Sequence, residues 1–201
     1  AVAMAPEAEA CDAILQGWYA GQAGGEAVAD VLFGDYNPAG RLPVTFYRSV
    51  ADLPDFEDYS MKGRTYRYME EQPMYPFGYG LSYSEFTYSD IMVETNGTNV
   101  DVYFTIINVS SVDGKETAQV YVQEFSPDVF RPIKELKGFV KTELKAGEMK
   151  KMKISLNERA FSYYCVKENR WKVKGGEYKI FVGASSQDIR LEKVIKIDNK
   201  N

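Results

Sequence analysis

The feature that most limits the fold of this chain is an alternation of apolar and polar residues that begins near Phe86. Val100, Val102, Phe104 and Ile106 alternate with polar neighbours. Successive side chains of a β-strand point to opposite faces, so the pattern predicts a half-buried strand. The same pattern recurs between turn signals such as Asp113-Gly114. Strands are predicted at residues 100–106, 118–122, 136–140, 152–156, 161–166 and 178–182, with a final strand ending near Ile197.

Short strands separated by turns about every 8 to 12 residues are typical of an immunoglobulin-like or fibronectin type III-like β-sandwich. We expect this domain to cover residues 86–201. The two cysteines, Cys11 and Cys165, do not form the Cys-Trp-Cys pattern of antibody domains, and they lack the CxxC spacing of metal and redox sites. They are predicted to be two unrelated, buried thiols, so an antibody-type domain is disfavoured.

Residues 1–46 have an α/β pattern instead. Residues 12–19 could form a short strand or a buried helical turn, and so few residues cannot decide between them. A helix is predicted from Glu26 to Phe33, because Val28, Val31 and Leu32 share a helical face and Gly34 follows as a stop signal. Residues 41–46 read as a short strand after a turn. Residues 47–85 show no sustained period, and we interpret them as a long connector pinned between two domains.

Composition excludes several kinds of function. The net charge of -5 argues against a nucleic-acid partner, since phosphate binding needs an excess of Lys and Arg. The chain has no histidine, which removes Ser-His-Asp and Cys-His catalysis and His-ligated zinc. No apolar run approaches the ~18 residues that span a bilayer, so a membrane protein is disfavoured. Residues 1–10 lack the basic start and apolar run of a signal peptide, which leaves the compartment undetermined.

Carboxylates are the remaining candidates for chemistry. A carboxylate pair that acts as nucleophile and general acid needs the two groups ~5 Å apart, one with a raised pKa. Five acids lie in the connector, but nothing in the sequence marks an apolar pocket around them, so we interpret them as solvated loop residues. These acids are Asp55, Glu57, Asp58, Glu70 and Glu71.

Aromatic residues could stack on sugar rings, although burial between domains is the commoner use of such rings in a connector. The aromatic candidates are Trp18, Tyr66, Tyr68, Tyr75, Tyr79, Tyr83 and Trp171.

Gly24-Gly25 could suggest a phosphate cradle, but the lysine of a P-loop is missing and a tight turn is favoured. Seven lysines interspersed with glutamates are interpreted mostly as a solvated face: 134, 137, 141, 145, 150, 151 and 153.

Three groups of motifs together resemble the C-terminal half of glycoside hydrolase family 3. Residues 13–46 resemble the last segment of that family's α/β-sandwich domain. Residues 63–68, Gly-Arg-Thr-Tyr-Arg-Tyr, and 75–83, Tyr-Pro-Phe-Gly-Tyr-Gly-Leu-Ser-Tyr, resemble the passage into its accessory sandwich. Residues 114–116, 119–122, 131–139, 146–148 and 175–178 are similar to its fibronectin type III-like domain. The resemblance covers nearly the whole chain and divides it into residues 1–46, 47–85 and 86–201.

The resemblance implies a retaining hydrolase that acts on terminal, non-reducing β-D-xylosyl or β-D-glucosyl residues without a cofactor. α-L-Arabinofuranosides are a further substrate alternative. In the family pattern, the nucleophile lies in an N-terminal barrel and the acid/base glutamate lies upstream of the Gln16–Tyr19 motif. No catalytic residue therefore transfers to this chain. Its expected partners are that barrel and the remainder of the α/β domain, with an oligosaccharide as substrate, and family habit suggests export.

The first hypothesis is therefore that this chain has a scaffolding role in such a hydrolase, and two other hypotheses compete with it. A β-sandwich with exposed aromatic residues could be a non-catalytic carbohydrate-binding or adhesion module. Alternatively, the chain could be made separately and associate with a partner that supplies the barrel. In that case the incomplete α/β domain should expose apolar surface and favour association.

Overall fold

The computed structural model describes residues 3–198, and within them it is mainly β. The helices are α1 (Ala5–Ala10), α2 (Gly24–Phe33) and α3 (Thr65–Tyr68). The strands are β1 (Phe86–Asn96), β2 (Asn99–Asn108), β3 (Gly114–Glu124), β4 (Glu135–Leu144), β5 (Met149–Leu156), β6 (Ser162–Cys165), β7 (Arg170–Val173), β8 (Gly176–Gly183) and β9 (Ile189–Ile197). None of the helices in this range is long and apolar enough to cross a bilayer.

The strands form two packed antiparallel sheets and a small hairpin. One sheet has the order β1-β2-β5, the other has the order β4-β3-β8-β9, and β6 pairs with β7. Phe104 and Ile106 of the first sheet and Val120 and Ile180 of the second are at most 2% exposed and belong to one apolar core. The period-two pattern produces this arrangement, because alternate side chains of each strand enter the space between the sheets. The predicted sandwich is confirmed.

Strands β1 and β7 were not among the predicted ones. A two-residue turn joins β1 to β2, with Asn96 paired to Asn99. Gly97 takes the first central position with a φ of 60°, which a residue without a Cβ adopts most easily. Strand β7 has four residues, none of them fully buried, and among the described residues, 3–198, it pairs only with β6. Buried and exposed residues do not alternate along β7, so its sequence shows no period-two pattern.

The helix predicted at Glu26–Phe33 is confirmed as α2, and Gly34 ends it with a φ of 85°. Residues 12–19 form neither the strand nor the helical turn that were considered. The strand predicted at residues 41–46 is wrong. This segment runs beside residues 74–79. Leu42 exchanges backbone hydrogen bonds with Gly78 and Tyr79, and Phe46 does so with Met74 and Tyr75. Between these two points the pairing is interrupted, so the segment contributes a single bridge, Phe46 to Tyr75, and no strand.

The connector contains a 3-10 turn, Val50–Asp52, and α3, and is otherwise irregular. Asn37 joins the residues before the connector, 3–46, to the start of the sandwich; these residues are called the first segment below. Its side-chain amide nitrogen donates to Ser84 Oγ and to the Asp113 carbonyl, both at 2.9 Å. Its Oδ1 accepts from Ser82 Oγ (2.9 Å) and from the Tyr83 N–H (2.8 Å). One side chain thereby fixes the path by which the connector enters β1.

Candidate functional site

The first acidic residues of the connector lie on an exposed loop. The Asp55 carboxylate accepts the N–H of Glu57 at 2.9 Å, and the Asp58 carboxylate accepts the N–H of Ser60 at 2.8 Å. The Ser60 hydrogen bonds lower the pKa of Asp58, whose carboxyl group is fully exposed. A general acid needs the opposite change, since it must hold its proton near neutral pH.

The Arg64 side chain stabilises this loop by hydrogen bonds to its backbone. Its Nη2 donates to the backbone carbonyls of Asp55 (3.0 Å) and Asp58 (2.8 Å). Glu70 and Glu71 follow α3 and are also exposed. No group of three His, Cys, Asp or Glu side chains within residues 3–198 could hold a metal ion. The geometry gives the acidic residues a loop-forming role, and the absence of catalytic residues from this chain stays a prediction.

Tyr66 anchors the connector to the sandwich. Its ring stacks on Phe77 with centroids 4.4 Å apart and meets Tyr121 edge to face at 5.9 Å. Its hydroxyl accepts the Leu136 N–H at 3.0 Å, at the start of β4. One face of the Tyr66 ring and its hydroxyl are thus engaged in joining the connector to the sandwich.

The other connector tyrosines are used in a similar way. The rings of Tyr75 and Tyr79 stack at 5.5 Å, and the Tyr83 hydroxyl donates to the Val31 carbonyl of α2 at 2.7 Å. Tyr68 stacks at 4.9 Å on a ring in the β3–β4 loop. These contacts agree with the prediction that connector aromatics act as anchors.

Trp18 and Trp171 remain half-exposed. Trp18 has a φ of 50° and lies 6.4 Å from the Phe46 ring. Trp171 lies on β7, where its ring meets Tyr164 edge to face at 5.4 Å and carries the Arg159 guanidinium 3.0 Å above its centre. An open cleft of about 400 Å³ adjoins this pair. The sequence pointed to Trp171 but not to Arg159, because their contact arises only when the β6–β7 hairpin folds back.

A second group missed by sequence reasoning surrounds Arg131. Its guanidinium pairs with Glu124 at 2.6 Å and with Glu135 at 3.2 Å, and all three side chains are nearly buried. Lys137 also pairs with Glu135, at 3.1 Å. Burial raises the pKa of Glu124, and its Oε1 has no protein partner within residues 3–198. The network braces the β3–β4 loop against β4.

The lysine prediction is confirmed for most of the seven side chains, since lysines 141, 145, 151 and 153 are exposed. Lys134, Lys137 and Lys150 are partly buried, and burial lowers the pKa of the Lys134 and Lys137 amines. Lys141 donates to the Ala39 carbonyl at 2.9 Å, which ties β4 to the first segment. Lysine stems can cover apolar surface while the amine reaches a polar partner, so a charge count along a strand does not report this burial.

The predicted tight turn lies just before the glycine pair: Gly24 and Gly25 are the first residues of α2, and the Gly24 N–H donates to the Gly21 carbonyl at 3.0 Å. A Cβ on Gly24 would lie 2.4 Å from the Ala20 Cβ, so the chain can turn into α2 only without a side chain there.

The two cysteines are free, but the expected burial is wrong: Cys11 is exposed and Cys165 is partly exposed.

Two protein-family models match the chain. The model for the glycosyl hydrolase family 3 C-terminal domain matches residues 1–83, and the model for a fibronectin type III-like domain matches residues 116–186. The division at residues 46 and 85 is finer than these matches and stays a prediction.

Similar proteins are glycosidases. A xylan 1,4-beta-xylosidase of Xylanibacter ruminicola is 46% identical over 96% of this chain and 22% of its own length. An exo-alpha-(1->6)-L-arabinopyranosidase of Bifidobacterium longum is 42% identical over 98% of this chain and 28% of its own length. The crystal structure of a family 3 beta-glucosidase from Bifidobacterium adolescentis matches with a TM-score of 0.85 and 39% identity, over 92% of this chain and 30% of that one.

This chain therefore spans less than a third of the length of each of these proteins. The matched region includes both the segment before the connector and the sandwich after it. Agreement of sequence and structure along nearly all of this chain settles its family: the chain belongs to glycoside hydrolase family 3, as a C-terminal part with a fibronectin type III-like domain.

Proposed function

We propose that this chain is the structural C-terminal portion of a retaining β-glycosidase that removes terminal, non-reducing β-D-xylosyl or β-D-glucosyl residues. The observation that carries the proposal is the 46% identity to a xylan 1,4-beta-xylosidase, which extends over 96% of this chain but only 22% of that protein. The nucleophile and the acid/base then lie outside this chain. Its own connector acids support this division, because they are exposed and engaged in loop hydrogen bonds.

The surface of α2 supports a partner from the same enzyme. Leu32 is 67% exposed and Phe33 is 84% exposed, and no residue of α2 is buried. Ile14, Leu15 and Tyr19 nearby in the sequence are exposed as well. Apolar side chains of this size normally lie in a core or at an interface. We infer that the remainder of the α/β domain covers them in the complete enzyme.

The test is hydrolysis of nitrophenyl β-xyloside, β-glucoside and α-L-arabinofuranoside. The purified 201-residue chain is assayed alone and after co-expression with a family 3 barrel and the remainder of the α/β domain. We expect no hydrolysis by the chain alone and turnover by the combination, with the β-xyloside preferred. The xylosidase relative and the Gly-Arg-Thr-Tyr-Arg-Tyr motif favour that substrate.

Hydrolysis by the chain alone would overturn the assignment of the catalytic residues. The matched variants Asp58→Asn and Glu70→Gln would then identify the acid responsible. A combination that folds and cleaves only the α-L-arabinofuranoside would contradict the proposed β-xylosyl or β-glucosyl substrates while leaving the structural role of the chain intact.

A further inference from the structure

An open cleft of about 400 Å³ lies at the edge of the sandwich, between the start of β4 and the segment that follows β5. This volume falls within the usual range for small-ligand sites, roughly 300 to 1,000 Å³. The polar side chains that line it belong to Glu135, Lys137, Ser155, Asn157 and Arg159, with Trp171 as an aromatic wall. The residues come from separate parts of the chain, so the cleft exists only in the folded sandwich.

Arg159 and Trp171 form the distinctive part of this cleft. The guanidinium carbon lies 3.0 Å from the centre of the indole ring, a stacking contact that orients the flat donor fork of the arginine. The Asn157 Oδ1 accepts the Arg159 N–H at 3.0 Å, which fixes the backbone beneath the side chain. The arginine is therefore positioned by its stacking partner and by its backbone.

The Arg159 guanidinium has no ion-pair partner among residues 3–198. The carboxylate that lines the cleft, Glu135, is already paired with Arg131 and Lys137. Arg159 is exposed, so its guanidinium can be approached from solvent, and the N–H donors of a guanidinium match a planar carboxylate through two parallel hydrogen bonds. The local charge therefore favours an anion.

The stacking also decides which sugars the cleft can take. The arginine covers one face of Trp171, and Tyr164 meets the ring edge to face. A neutral sugar that stacks on an open indole face is therefore disfavoured. A sugar with a carboxylate can instead accept hydrogen bonds from the Arg159 guanidinium. The Asn157 amide nitrogen can donate to a sugar hydroxyl, and the Ser155 oxygen can accept from one while its own proton is donated to Asp101 Oδ1 at 2.6 Å.

We propose that this cleft is a binding site for a uronic acid residue of an oligosaccharide, with its carboxylate on Arg159 and its ring beside Trp171. The preference for an anion rests on the cleft residues alone, and the choice of an oligosaccharide rests on the function proposed above. It would hold acidic branches of a polysaccharide on the fibronectin type III-like domain.

The test is isothermal titration calorimetry with the 201-residue chain. The probes are a xylooligosaccharide that carries one glucuronic acid branch, the same oligosaccharide without the branch, free glucuronate, acetate and inorganic sulfate. We expect binding of the acidic oligosaccharide that weakens at high salt, weaker binding of free glucuronate, and no binding of the neutral oligosaccharide, acetate or sulfate.

Arg159→Gln should weaken binding of the acidic oligosaccharide by at least about tenfold, as expected for the loss of charged hydrogen bonds. Trp171→Phe should retain most of the affinity, because an aromatic face remains. The matched control is Arg170→Gln, which removes the same charge from a side chain that is 67% exposed and pairs with Glu168. It should bind as the unaltered chain does.

Three results would overturn the proposal. The first is no binding of the acidic oligosaccharide by a folded chain. The second is equal binding of the acidic and neutral oligosaccharides, or of acetate and the acidic oligosaccharide, which would remove the need for a uronic acid. The third is an equal loss in Arg159→Gln and Arg170→Gln, which would reduce the effect to net charge. None of these results depends on whether the complete enzyme hydrolyses xylosides.

Discussion

At the scale of single residues, Arg131 pairs with two carboxylates, Glu124 and Glu135, whose pKa values shift in opposite directions. Burial raises the pKa of Glu124, because a single ion pair with Arg131 does not offset desolvation. Burial also acts to raise the pKa of Glu135, but Lys137 and Arg131 together outweigh it and lower that pKa below 4.5. The number of cations, rather than the depth of burial alone, sets the direction.

We predict that Glu135→Gln destabilises the chain near neutral pH and that this difference disappears in acid. The folded-state pKa of Glu135 is lowered, so its carboxylate stabilises the fold above the unfolded value of 4.5. This contribution is lost as the pH falls through the folded-state pKa. Urea unfolding of both proteins from pH 7 to pH 3 measures the difference.

The control for this comparison is Glu143→Gln, which alters an exposed carboxylate 3.9 Å from Lys115. It should change the free energy of unfolding by less than about 0.5 kcal/mol. A difference between Glu135→Gln and the unaltered chain that stays constant at every pH would show that lost packing, not lost charge, causes the destabilisation.

At the scale of elements, α2 is a helix whose apolar residues contribute no core in this chain. The sequence has the spacing of an amphipathic helix, and the helix forms, yet Leu32 and Phe33 are mostly exposed. Its fixed points are the Gly34 turn at its end and the hydrogen bond from the Tyr83 hydroxyl to Val31. Helix formation and helix burial are thus separate outcomes of one pattern.

We expect Leu32→Ser/Phe33→Ser to reduce self-association of the isolated chain without lowering its unfolding midpoint. The side chains are exposed, so their removal costs little folding energy but removes a sticky surface. Light scattering gives the association state, and thermal unfolding gives the midpoint. The core variant Val120→Ser serves as the control and should lower the midpoint, because Val120 is fully buried.

An unaltered chain that is already monomeric would contradict this expectation about α2. It would also count against a separately made chain that associates with a partner through the exposed surface.

At the scale of the whole molecule, a buried ion pair holds the first segment on the sandwich. Arg41 Nη2 lies 2.7 Å from Glu116 Oε2, and the two side chains are 10% and 3% exposed. Tyr88 donates its hydroxyl to the other carboxylate oxygen at 2.7 Å, and burial raises the pKa of that hydroxyl. Arg41 Nε has no partner within residues 3–198, so Glu116 is the main compensation for this cation.

We predict that Glu116→Gln lowers the free energy of unfolding by about 3 kcal/mol, because it leaves a buried guanidinium without its counter-charge. Urea unfolding measures the loss. Limited proteolysis between residues 41 and 80 tests whether the first segment is released first. Glu143→Gln is again the control, since it removes the same charge from an exposed pair. An equal, small effect in both variants would contradict a role for the buried pair.

Much of the fold was predictable from local pattern. Alternation placed most strands, and Gly34 marked the end of α2, because both signals depend on near neighbours in the chain. The short strand β7 and the irregular course of residues 41–46 were not predictable, since pairing with other segments of the chain decided them. The candidate sites depended still more on distant contacts. Trp171 was an evident candidate, whereas its partner Arg159 has no local signature.

The sequence by itself determined the family resemblance, the β-sandwich and the absence of histidine chemistry, because these follow from residue order and residue type. Only the tertiary structure decided that Arg159 stacks on Trp171 and that Glu116 neutralises Arg41. The physical reason is that hydrogen bonds, ion pairs and burial join residues far apart in the chain, and a periodic pattern reports which face a residue occupies but not what it meets there.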